Sequence, residues 1–199
     1  MYYPHFLEPH DTVGICAPSA GVGRNIALFE ASLRILKEHD FQIYETAHVR
    51  VNDLRGGDAA QRAAEVNALF YRDDVRVIMA AAGGDFLLEI LPLLDWETIA
   101  EKPKWFLGAS DPTGILFPLT TVYDIATLYG YNASSFQQTP PSPDPENCLS
   151  FLQGRLPVQH PSAMHAECSR YADTYRGFNT PTHYRASAEE LHLSGRCIG

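Results

Sequence analysis

Three things are scarce in this sequence, and each scarcity removes a class of function. Basic side chains are few and scattered: 15 Lys and Arg stand against 24 Asp and Glu, giving a formal charge of −9 and a pI near 5.3. No run of Lys or Arg is available to meet phosphates and release their counterions, so nucleic acid is not an expected partner. Long apolar runs are missing as well. No stretch approaches the roughly 18 residues that span a bilayer, and the N-terminus, MYYPHFLEPHDTV, has neither the basic start nor the apolar centre of a secretory signal. The reading is a cytoplasmic protein without a membrane partner. Cysteine is rare, and Cys16, Cys148, Cys168 and Cys197 form no CxxC pair. They read as reduced thiols, some of them core filler, rather than as zinc ligands or a redox dithiol.

What is present is core-forming material. A hydrophobic share of 45%, with 11% aromatic, lets a chain of this length bury about 70% of its unfolded surface. Apolar residues in the first half alternate between strand and helix periods, the pattern of a parallel sheet covered on both faces. Strands are predicted at residues 11–17, 41–44, 75–81, 104–107 and 125–129. Helices are predicted at 25–39, 59–71, 86–94 and 112–119, with a Pro103-containing loop before the fourth strand. The run VRVIMAA is nearly all apolar, as a strand buried on both faces requires. The segment QQTPPSPDPEN, with four prolines in eleven residues, cannot continue a helix or central strand. It marks the edge of an α/β domain at 1–136; a Pro-rich linker with a short helix near 145–153 occupies 137–156. Residues 157–199 show little periodicity and read as the start of a second, incomplete domain.

In an open parallel sheet, ligands sit at the carboxyl ends of the strands. Three turns there stand out. Gly21-Val22-Gly23, followed by Glu45 at the end of the second strand, is half of a dinucleotide fingerprint whose third glycine is replaced by Ile26. It leaves open a non-catalytic nucleotide- or anion-binding module. Gly83-Gly84 directly follows the most apolar strand, and reads equally as a tight turn or as a place where main-chain N–H groups approach a ligand. Ser110, in Gly108-Ala109-Ser110-Asp111-Pro112, reads either as part of a helix cap or as a serine exposed on a sharp strand-to-helix turn. It is not a GxSxG elbow. None of the eight histidines lies in a recognisable motif; His165-Ala166-Glu167 lacks the PCxxC partner of a zinc deaminase.

The pieces DTVGICAPS, QRAAEVNALFYRDDVRVIMAA, GGDFLLEILPLLDW and PKWFLGASDPTGILFPLTTVYDIATLYG stand in one order over residues 11–136. In that order the chain resembles the LD-carboxypeptidase family of serine peptidases, in particular its microcin-resistance branch. The resemblance implies that Ser110 of the GxSD motif is the nucleophile. It implies an oxyanion hole from the main chain of Asp111, Gly83 and Gly84, with Asp85 a further candidate, and no cofactor or metal. The substrate would be a small peptide or peptidyl-nucleotide with an amide next to a free carboxylate, and the full-length protein would be a homodimer. The family's glutamate and histidine lie beyond a G-R-x-I-G-G segment, whose opening Gly195-Arg196-Cys197-Ile198-Gly199 matches. The expectation is therefore a truncated chain, catalytically crippled alone.

Overall fold

The computed structural model describes residues 1–137, 144–156, 163–165 and 179–183. Two compact units are present: Met1–Gln138 with Pro143–Pro157, and Thr139–Ser142 with Val158–Gly199. In the second, the described residues form a two-stranded antiparallel ladder in which Met164 pairs with Pro181 and His165 with Thr180.

The first unit is an α/β fold around five parallel strands: β1 (Thr12–Cys16), β2 (Gln42–Glu45), β3 (Val75–Ala80), β4 (Trp105–Gly108) and β5 (Leu128–Tyr129). Their order is β2-β1-β3-β4-β5. Helices α1 (Ile26–Glu38), α2 (Ala59–Tyr71), α3 (Trp96–Glu101), α4 (Thr113–Thr121) and α5 (Asp144–Leu152) complete it. Because side chains alternate along a strand, each central strand feeds two cores. Val13, Ile15, Val77, Met79, Trp105 and Leu107 face α1 and α5, where Phe29, Leu33, Leu36, Leu149 and Leu152 meet them. Cys16, Ile78, Ala80 and Phe106 face α2, α3 and α4 through Val66, Leu69, Ile99, Ile115 and Leu119. Full burial of each such side chain contributes about 1.5–3 kcal/mol, so the sheet is anchored from both sides. The Cys16 thiol lies inside this core, and burial pushes its pKa well above the ordinary value.

Three differences from the sequence reading have local causes. Residues 86–94 are two 3-10 turns, Leu87–Glu89 and Leu91–Leu93, instead of one helix. Pro92 has no N–H to donate to the carbonyl four residues back, so one continuous α-helical ladder cannot run through it. The predicted loop before β4 contains α3, started by Asp95, whose carboxylate accepts from Thr98 N–H at 3.1 Å. Helix α5, read as part of a linker, supplies buried Leu149 and Leu152, and Leu152 O accepts from Leu7 N–H at 2.7 Å. Helix α2 has the predicted bounds and opens with a capping box between Asp58 and Gln61. Among the described residues, no helix is long and apolar enough to cross a membrane.

Candidate active site

Strand β4 is buried throughout, and the chain leaves it through Ala109 into an exposed Ser110 with φ +66°. A non-glycine residue in this left-handed region costs on the order of 1–3 kcal/mol and persists only where its surroundings impose it. Here they do. The Asn132 amide grips Ala109 from both directions, Oδ1 accepting from Ala109 N–H at 3.0 Å and Nδ2 donating to Ala109 O at 3.1 Å. Ser110 N–H donates to Tyr129 Oη at 3.3 Å. Ser110 O accepts from Thr113 N–H at 2.9 Å and Thr113 Oγ1 at 2.6 Å. The serine main chain is thereby fully engaged, and the residue that carries the hydroxyl is exposed just before α4.

The turn after β3 lies against that hydroxyl. A Cβ built on Gly83 would stand 3.3 Å from Ser110 Cβ and 3.4 Å from Ser110 Oγ. Gly84 adopts φ +157°, and a Cβ there would fall 2.2 Å from Ser19 Oγ. Ser19, fully buried at the end of the β1 turn, donates to the Asp111 carboxylate. The same carboxylate oxygen accepts from Leu87 N–H at 2.9 Å. The Asp111 side chain therefore fastens the turns after β1, β3 and β4 to one another. Its main-chain N–H, with those of Gly83, Gly84 and Asp85, has no acceptor among the described residues. The exposed side chain of Asp85 likewise has no hydrogen-bond partner among them.

A charged network lies behind the glycine turn. Arg62 is 0% exposed and donates to three carbonyls and to Glu89. Glu89 also accepts from Arg55, whose guanidinium sits 3.8 Å over the Phe86 ring. The hydrogen bond from Arg55, reinforced by both guanidinium charges, holds the Glu89 carboxyl below its usual range.

The other candidates behave differently. In the Gly21–Gly23 turn, Val22 N–H donates to Val49 O at 2.7 Å and Gly23 N–H to Val51 O at 3.2 Å. Glu45 is gripped by Arg50 through bonds of 2.6 and 2.9 Å. The donors and the acid that a nucleotide would need are already engaged. His48 Nδ1 lies 2.5 Å from Glu65 Oε1, but it follows β2, three ladder spacings or about 14 Å from β4. Among the described residues, no imidazole hydrogen-bonds to Ser110, and no group of three or more His, Cys, Asp or Glu is placed to hold a metal. A cavity of about 210 Å³ bounded by Tyr2, Asp73 and Lys104 opens at the opposite, amino edge of the sheet.

The chain has relatives. Residues 13–130 match the model of the LD-carboxypeptidase N-terminal domain. The chain belongs to the LD-carboxypeptidase family. A Vibrio cholerae protein named as a carboxypeptidase is 31% identical over 155 residues, covering 76% of this chain and 46% of the relative. The microcin C7 self-immunity protein MccF of Escherichia coli is 32% identical over 143 residues, covering 69% and 41%. A Bacillus subtilis protein named as a murein peptide carboxypeptidase is 27% identical over 130 residues, covering 65% and 40%. The solved structure of MccF superimposes with a TM-score of 0.69 at 27% identity, covering 83% of this chain and 50% of that one. MccF has also been solved with aspartyl sulfamoyl adenosine and with glutamyl sulfamoyl guanosine. The chain spans less than half the length of these curated relatives.

The structure thus brings Ser110, Asp111, Gly83 and Gly84 into one cluster. Sequence reasoning did not single out Ser19, Asn132 or Tyr129, which hold that cluster, or Arg62, which bonds the loops beside it. The one local signal was a polar or charged residue inside an otherwise apolar pattern, as with Arg62 on the inner face of α2.

Proposed function

We propose that this chain carries the nucleophile-bearing part of a serine carboxypeptidase that cleaves an amide beside a free carboxylate. One observation carries the reading: Ser110 is held in left-handed backbone with its hydroxyl against a glycine turn whose N–H groups have no acceptor among the described residues. Ser110 Oγ attacks the amide carbonyl and loses its proton to a base, and a tetrahedral oxyanion forms. Because Ser110 N–H is bound to Tyr129, the oxyanion falls to Asp111 N–H, the donor one residue on, and to the N–H groups of Gly83 and Gly84. Each such donor is worth about 10²–10³ in rate. The amine then leaves with a proton, and water releases the acyl group from Ser110.

The base in this scheme is the histidine, oriented by a glutamate, that the family resemblance places in its C-terminal half. General-base help of this kind is worth about 10²–10⁴ in rate. A muropeptide tetrapeptide and an aminoacyl-nucleotide of the microcin C type both present the required amide. The test is release of the C-terminal amino acid from a tetrapeptide, followed by mass spectrometry. Release that stops in Ser110→Ala and with a C-terminally amidated peptide supports the reading. Equal release in either control overturns it.

A further inference from the structure

Arg62 is a cationic side chain with no exposure to water, on a helix whose other inward residues are apolar. A buried guanidinium is tolerated only when its donors are satisfied, because an uncompensated charge in the interior costs several kcal/mol. Four of its five N–H donors are accounted for, and their acceptors lie on three separate loops. Nε donates to Gly57 O at 3.1 Å, just before α2. Nη1 donates to Pro18 O at 2.9 Å after β1 and to Phe86 O at 3.0 Å after β3. Nη2 donates to Glu89 at 2.5 Å.

Pro18 immediately precedes Ser19, whose hydroxyl is bound to Asp111 beside the serine. Phe86 lies two residues after Gly84, whose main chain closes on Ser19. The guanidinium is therefore a rigid spacer between the two turns that frame Ser110. We infer that Arg62 is a positioning residue: its planar fork fixes the distance between the Ser19 turn and the Gly83–Gly84 turn, and with it the place of the main-chain donors against Ser110. The inference rests on the proposed role of Ser110 as nucleophile. Lysine carries the same charge but projects its donors from a single nitrogen, and it cannot span the same three carbonyls.

The test uses a fluorophosphonate probe on the 199-residue chain, with the maximal inactivation rate and probe affinity measured separately. Amide hydrogen exchange is read over residues 82–87. In folded Arg62→Lys the maximal rate at Ser110 falls about tenfold or more while probe affinity stays within about twofold, since small displacements of donors cost rate and not ground-state binding. Exchange over 82–87 accelerates. Wild-type rate and exchange in folded Arg62→Lys overturn the inference, as does a loss of thermal stability with no loss of rate. Should Arg62→Lys not fold, Glu89→Gln gives the same two readings from a half-exposed position, and unchanged values there overturn it equally. Equal labelling of wild type and Ser110→Ala sinks the nucleophile reading instead, and leaves exchange over 82–87 to decide whether Arg62 holds the turn.

Discussion

Two glycine-bearing turns at the same edge of the sheet have opposite fates. After β1, Gly21 is packed so tightly that a Cβ would lie 2.6 Å from Val51 O and 2.9 Å from both His48 O and Val49 O. The N–H groups beside it are bonded to the loop after β2. After β3, the Gly83 and Gly84 N–H groups have no acceptor among the described residues, and their main chain rests on Ser19 and on a strained serine. Glycine in the first turn lets the protein close on itself; in the second it leaves donors beside the exposed Ser110. The residue type is the same, so what separates structure from site is whether the neighbouring amides are engaged.

Substitutions can break this contrast. The largest effect belongs to Gly84→Ala: the new methyl collides with Ser19 Oγ and displaces the turn, so Ser110 labelling falls about 10²–10³-fold, the scale of a lost oxyanion donor. Gly21→Ala clashes with three carbonyls and lowers stability by about 3 kcal/mol, at the upper end for overpacking. Its labelling rate per folded molecule stays at the wild-type value, as a melt alongside the labelling assay would show. In Asp111→Ala, Leu87 N–H is left buried without its acceptor, at about 1–3 kcal/mol. Urea denaturation measures that loss, and labelling falls with it because the three turns come apart.

The sign reverses at the serine itself. Ser110→Gly releases left-handed strain and raises stability by about 1 kcal/mol while abolishing labelling. The smallest effect lies at the far edge. Lys104 Nζ donates to Leu69 O at 2.9 Å and to Arg72 O, and burial lowers its pKa to about 8 from 10.5. Between those values the unfolded chain holds the proton that the folded chain gives up, so stability rises with pH across the window. Denaturation at pH 7.5 and 10 should show the rise in wild type and its loss in Lys104→Met, with Ser110 labelling at pH 7.5 the same in both.

Much of this was legible in the sequence where the signal is local. The apolar run at 75–81 announced a strand covered on both faces, and the periodicity of residues 59–71 gave α2 its full span. Ser110 and the glycine turn were legible because strand ends and the GxSD order are read along the chain. The supports were not. Ser19 and Asp111 are 92 residues apart, and nothing near either one announces the other. Arg62 interrupts an apolar helix face, but its acceptors Pro18, Phe86 and Glu89 are distant along the chain and nothing local names them. The helix predicted at 86–94 gives way to 3-10 turns at 87–93, because Pro92 has no N–H to continue the ladder.

The most direct measurement is site mapping of a fluorophosphonate on the native chain by peptide mass spectrometry. The account predicts modification at Ser110, none in Ser110→Ala, and none at the buried hydroxyl of Ser19. Modification spread over other serines, or unchanged in Ser110→Ala, would contradict it.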